Sequence, residues 1–143
     1  RMMMSDPLVT SGRLASTGLA AQSARLQVVS ENLANAHSTS DRPGDVPYAR
    51  KIASFEAALD EQSGGLGVRV SGIERDRTPF RLSHDPGHPA ADEQGNVKLP
   101  NVNPLIELAD LREASRSYQA NLEVIRRSRE LVEMTIDLLK ATQ

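Results

Sequence analysis

Leu8, Gly12, Ala15, Leu19, Gln22, Leu26, Val29, Leu33 and Ala36 follow one another in alternating steps of 4 and 3. That spacing, held over four heptads, predicts a helix over 8–36 with one continuous seam. The rest of its surface constrains the chain more. Only Arg13, Arg25 and Glu31 are charged among these 29 residues. Ser16, Ser23 and Ser30 recur at sevens on one flank, and Ala20, Ala21, Ala24, Val28 and Ala34 make up most of the back. A helix standing in water shows a charged face opposite its apolar stripe. This one has none, so it needs cover on more than one side.

A second helix is announced by PNVNP, where Asn103 suits the N-cap and Pro104 the first helical position. Its predicted seam runs through Leu108, Leu111, Ser115, Tyr118, Leu122, Ile125, Arg129, Val132, Ile136 and Leu139. Here 13 of the 38 residues from Pro104 to Ala141 are charged, so this helix has a wet face.

The 67 residues from 37 to 103 are far too many for a helix–helix turn. HSTSDRPGDVP reads as loop, and YARKIASFEAAL fits a strand or a short helix equally well. GVRVSGIERD alternates as a strand does, and FRLSHD and NVKL are short strand candidates. The expected fold is therefore mainly α with a small β insertion. Long helices at 8–36 and 104–141 pair as a coiled-coil-like core, residues 37–103 form an irregular β-rich segment, and residues 1–7 form a flexible lead.

Composition removes several functional classes. Cysteine is absent, which excludes disulfides and thiol chemistry. A net charge of −2 with mixed signs lacks the basic stripe of a nucleic-acid binder. No apolar run reaches the roughly 18 residues of a membrane helix, and RMMMSDPLVT has no segment of signal-peptide length. Any export is expected to use a route without a cleaved signal. The aromatics are only Tyr48, Phe55, Phe80 and Tyr118, too few for a large self-sufficient core.

The stretch closest to a reactive site is SHDPGHPAAD, with His84, Asp85, His88 and Asp92 as metal-ligand types. Pro86, Gly87 and Pro89 forbid the helix that would align the two histidines, so a rigid turn is the preferred reading and no metal or cofactor is expected. The acidic pairs Asp60–Glu61 and Glu74–Asp76 have no neighbouring histidine or aromatic pocket, and GGLG lacks the lysine of a phosphate loop. RRSR at 126–129 shares its helix with Glu123, Glu130 and Glu133 and reads as a salt-bridged face. No enzyme is expected.

A helix that looks buried, in a chain with too little core, finds its missing partners in other molecules. The uncharged polar residues Gln22, Asn32, Asn35, Gln119 and Asn121 then supply hydrogen bonds across an interface and fix register. For Asn35 alone, an ordinary C-terminal cap is an equal alternative.

AQ--RL-VVSENLANA in the first helix resembles the N-terminal signature of the axial proteins of the bacterial flagellum, and SRSYQANLEVI their C-terminal motif. VPYARK, GVRV, DPGHPAAD and GNVKLPNVN are similar to the C-type proximal rod branch of that family; the B-type rod subunit is the near alternative. The resemblance spans about residues 5–141. It implies a structural subunit that leaves the cytoplasm unfolded through the flagellar type III export apparatus and polymerises helically. The product would be a rod that crosses the periplasm and transmits motor torque. Partners implied are other copies, other rod proteins, and the basal-body ring and rod-adaptor proteins, with no nucleic acid and no membrane insertion. The interface positions implied are Leu19, Gln22, Leu26, Val29, Asn32, Leu33 and Asn35 on one helix, and Tyr118, Gln119, Asn121, Leu122 and Ile125 on the other. Together with the charge contrast, it places Arg126, Glu130 and Glu133 on an aqueous lumen. A self-contained helical adaptor or regulator, with the two helices closed on each other, is the remaining alternative.

Overall fold

In the computed structural model, which describes residues 6–143, two long helices flank two small sheets. Helix α1 spans Pro7–Ala34, one residue earlier at its start and two earlier at its end than the heptad pattern predicts. Asp6 caps it: its carboxylate accepts from the Leu8 amide at 2.9 Å, and Pro7 takes the first helical position. Of the expected flexible lead, residues 1–5 lie outside the described residues and Pro7 is helical. At the other end Asn35 donates both its amide (3.1 Å) and its side chain (2.9 Å) to the Glu31 carbonyl. No non-glycine residue has positive φ among the described residues, so α1 ends in tightened turns rather than a left-handed cap.

Strands β1 (Lys51–Leu59) and β2 (Leu66–Arg75) form one two-stranded sheet. Bonds from Asp60 N to Gly65 O (2.8 Å) and from Asp76 N to Arg50 O (2.7 Å) close the two ends of this hairpin. The undecided stretch 48–59 is thus mostly strand. Strands β3 (Arg81–His84) and β4 (Asn96–Leu99) pair antiparallel, with Arg81 opposite Leu99 and His84 opposite Asn96. Helix α2 spans Pro104–Ala141 as expected, with the Asn103 side chain capping the Leu105 amide at 3.1 Å.

The chain divides into two compact units, and each takes a part of both helices. The first holds the residues up to Ala24, Phe55–Ser71 and Glu113–Gln143; the second holds Arg25–Ser54 and Gly72–Arg112. Within the first, α1 and α2 run antiparallel, with Gly12 against Ser128 and Gly18 against Asn121. Within the second they do so again, with Arg25 bonded to Asp110 and Asn32 to Glu107.

The seam of α1 is buried or half-buried along its whole length, as its spacing predicts. A second side of α1 is covered by the β segment. In the first unit Thr17 Oγ1 accepts from the Val68 amide at 3.0 Å, Gly65 passes over Leu14, and Arg13 clasps Asp60 with two bonds of 2.9 Å. In the second unit Lys51 bonds both Glu31 and Asn32. A third row stays exposed: Val9, Arg13, Ser16, Ala20, Ser23, Gln27, Ser30 and Ala34, again in steps of 4 and 3. The uncharged helix therefore has three sides, two covered within the chain and one open.

The seam of α2 differs from its sequence pattern at every second position. Glu107 and Ser128 are buried while Leu108 and Arg129 are exposed, Ala114 is buried beside a half-buried Ser115, and Asn121 is half-buried alongside Leu122. The cause is the backbone of α1. Gly12 and Gly18 bring it so close that small or compact polar side chains fit opposite, and the leucines are displaced to the flank. Ile136 and Leu139 are exposed.

A Cβ added at Gly18 meets the Asn121 amide at 2.8–3.0 Å. Gly18→Ala should therefore cost about 1–3 kcal/mol through overpacking. In an Asn121→Ala background the same change should stabilise by about 1 kcal/mol, the ordinary gain of alanine over glycine in a helix. Circular dichroism melting, at a protein concentration where both helices are formed, reads this reversal of sign.

Candidate assembly interface

Asn32 stands at the last turn of α1 and is fully buried. Its amide treats the Lys51 peptide as a neighbouring strand would: Oδ1 accepts from Lys51 N and Nδ2 donates to Lys51 O, both at 2.9 Å. Tyr48 Oη donates to the same Oδ1 at 2.7 Å, and Nδ2 also reaches Glu107 Oε2 at 3.3 Å. The expected bonds across an interface are thus made inside the chain, to partners 19 and 75 residues away. Burial, with Glu31 and Glu107 nearby, pushes the Tyr48 phenol up to about 12, so it stays a donor.

Glu107 is likewise fully buried, in the first turn of α2, and forms an ion pair with Arg50. Arg50 also reaches Asp76 at 3.5 Å, and its backbone amide donates to Asn101 at 2.7 Å. Asn101 in turn donates to the carbonyls of Asp76 (3.1 Å) and Thr78 (3.0 Å). The Thr78 backbone and side chain, with Arg50 a smaller influence, hold the Asp76 carboxyl below its ordinary range. One network thereby ties the end of α1, the start of β1, the end of β2 and the start of α2. Its acceptors and donors bond to one another. This is joinery rather than chemistry.

The DPGHPAAD loop is also structural. His88 Nδ1 accepts from the Ala90 amide at 2.9 Å, which leaves Nε2 to donate to Thr39 Oγ1 at 3.2 Å. Asp92 accepts from the amides of Gln94 (3.0 Å) and Asn96 (2.8 Å). Gly95 turns at φ 80°, where a Cβ would strike Pro86 and His84. Among the described residues no three histidine or acidic side chains gather as metal ligands. No described helix is long and apolar enough to cross a membrane.

Of the residues expected at an interface, Val29 joins Asn32 in the chain's own core. Leu19, Gln22, Leu26, Leu33, Tyr118, Leu122 and Ile125 are half-buried, as are Asn35 and Asn121, which bond to the carbonyls of Glu31 and Ser117. Gln22 Oε1 is buried with no hydrogen-bond partner, and Gln119 is exposed. Arg126, Glu130 and Glu133 are all exposed.

The surface open to a partner lies elsewhere. Val124, Leu131 and Leu138 recur at sevens on one flank of α2, with Met134 beside them, and all four are exposed. Arg126 and Glu130 share the adjoining, charged part of the helix with Arg112, Glu123 and Asp137. Leu105, Ile106 and Leu108 are exposed at its start. Apolar surface on this scale suits protein contact. The sevenfold recurrence of Val124, Leu131 and Leu138 was present in the sequence, but the stronger leucine seam beside it drew the reading.

Two family models match the chain at its ends: Flagella basal body rod protein over residues 13–40, and Flagellar basal body rod FlgEFG protein C-terminal over residues 93–138. The chain is 56% identical over 138 residues to the flagellar basal-body rod protein FlgC of Agrobacterium fabrum, covering 96% of this chain and 99% of that one. It belongs to the FlgC family of flagellar basal-body rod proteins. The proteins of that name from Borreliella burgdorferi (38%) and Salmonella typhimurium (41%) match over 93% and 87% of this chain, and 98% and 92% of their own lengths. The chain is thus a structural subunit of the basal-body rod, a motility protein and not an enzyme.

Removing the buried acid should show what the joint contributes. Glu107→Ala leaves Arg50 and Asn32 short of a partner and is expected to cost about 3 kcal/mol, the usual loss on breaking a buried ion pair. Denaturant unfolding followed at Tyr48 reads it.

Proposed function

We propose that this subunit is exported through the flagellar type III apparatus and polymerises with its own kind and other rod proteins into a helical shaft. The shaft crosses the periplasm, transmits motor torque towards the hook, and meets ring and rod-adaptor proteins along its surface. The paired helices 8–36 and 104–141 act as the assembly domain, and the central β-rich segment stands outside it. α2 lines the export channel with Arg126 and Glu130, while the nearly uncharged α1 is packed behind it among neighbours.

The observation that carries this reading is the division of α2 into three strips. Over residues 123–138 one faces α1, one holds the exposed Val124, Leu131, Met134 and Leu138 with Arg127 among them, and one holds the exposed charges Glu123, Arg126, Glu130, Glu133 and Asp137. A channel wall needs that arrangement: a wet strip inward and an apolar strip sideways. Torque fits it as well, since shear between subunits is resisted by large buried contact areas.

A density map of rods purified from cells tests the orientation. The expected map places Arg126 and Glu130 on the channel wall and covers Ser16, Ser23 and Ser30 with a neighbouring subunit. A map with those serines in solvent and the charged strip away from the channel would overturn it.

A further inference from the structure

In the first compact unit a groove of about 400 Å³ runs between α1 and α2. Its floor is Leu8, Val9, Ile125 and Val132, and Arg129 and Glu133 stand at its rim. The exposed apolar row Val124–Leu131–Leu138 lies on the other side of the same helix. At 3.6 residues per turn, Leu131 is turned roughly 200° from both Arg129 and Glu133. One helix thus carries a socket on one side and a row of knobs on the other.

We infer that the apolar row of one copy seats in the α1–α2 groove of the next. This rests on the rod-subunit reading above and deepens it by naming the surfaces. Size favours the match, because the groove is open beside Gly12 and Ser16 on the α1 side and takes side chains as large as leucine. Charge does not oppose it. Arg127 is exposed at the edge of the knob row and bonds Glu123 one turn away at 3.1 Å. At the rim of the groove Glu133 presents the opposite sign and Arg129 the same one, while Arg13 is held by Asp60. The two surfaces differ, so the contact is heterologous and a run of copies leaves one socket and one row unused at its ends. Such a contact propagates into a ring or an open helix instead of closing as a dimer. It also fixes the remaining sides of α2: α1 behind, a copy on each flank, and the charged strip of Arg126 and Glu130 facing away from α1. Glu133, seven residues after Arg126, stands where that strip meets the groove.

The chain has no cysteine of its own, which makes disulfide trapping clean. Gly12 lies level with Ser128, so when two copies stand side by side at one height, position 9 of one faces 131 of the next and position 16 faces 124. Val9→Cys with Leu131→Cys, and separately Ser16→Cys with Val124→Cys, are introduced into the full chain in cells. Rods are purified and oxidised. The expected result is a ladder of dimers, trimers and longer species with either pair, and none with a single substitution. Rods that form but give no linked species overturn the inference and leave the rod reading standing, as does a product that stops at dimers. Rods lost with both pairs, although each single substitution supports them, also count against it. Absence of the unsubstituted chain from purified rods would instead sink the rod reading itself.

Discussion

Glu107 cannot be buried alone. An ionised carboxylate without partners in the interior costs several kcal/mol, and in this fold the partners come from three different segments: Arg50 ahead of β1, Asn32 at the end of α1, and Arg50 in turn held by Asp76 after β2. Satisfying the acid therefore sets where α2 begins relative to α1. Once Asn32 faces Glu107, the antiparallel register follows, and Arg25 meets Asp110 within the same unit. The nearly featureless seam of alanines and glycines needs such a polar marker, since small apolar residues slide past one another at little cost.

The two compact units differ in what they bury. The second contains Val28, Val29, Ala36, Val97, Pro100 and Val102 around the Asn32–Glu107 joint. The first buries Ala15, Ala21, Ala114 and Ser128, side chains too small to supply much hydrophobic stabilisation, and leaves Leu59, Leu66, Leu131, Met134, Leu138 and Leu139 exposed. Its specific ties are the Arg13–Asp60 clasp, in which Arg13 and Ser63 hold the Asp60 carboxyl well below the ordinary carboxylate range, and the Thr17–Val68 bond. In the proposed rod, a chain built this way holds its second unit by internal joinery and completes its first with neighbours.

Much of this was legible in the sequence because it depends on local rules. The α1 seam, the Asn103–Pro104 helix start and the alternating strands at 66–75, 81–84 and 96–99 all follow from periodicity and capping. Residues 51–59 were not legible, because β1 belongs to a two-stranded ribbon with no fully buried face and so carries no clean alternation. The α2 seam was displaced by one position at Asn121 and Ser128, since hydrophobicity ranks Leu122 above Asn121 while the close approach of Gly18 selects the asparagine. From sequence Asn32 reads as a polar residue of an interface between subunits, and Glu107 carries no local signal. Nothing local reveals that their partners lie tens of residues away.

Amide hydrogen exchange on the dilute chain tests this division most directly. The account predicts strong protection at residues 28–36 and 97–111, around the Asn32–Glu107 joint. It predicts rapid exchange at residues 7–21 and 116–141, which slows once the chain is assembled in rods. Both helices uniformly protected from end to end in the dilute chain would contradict it, because the first unit would then complete its own core without a neighbour.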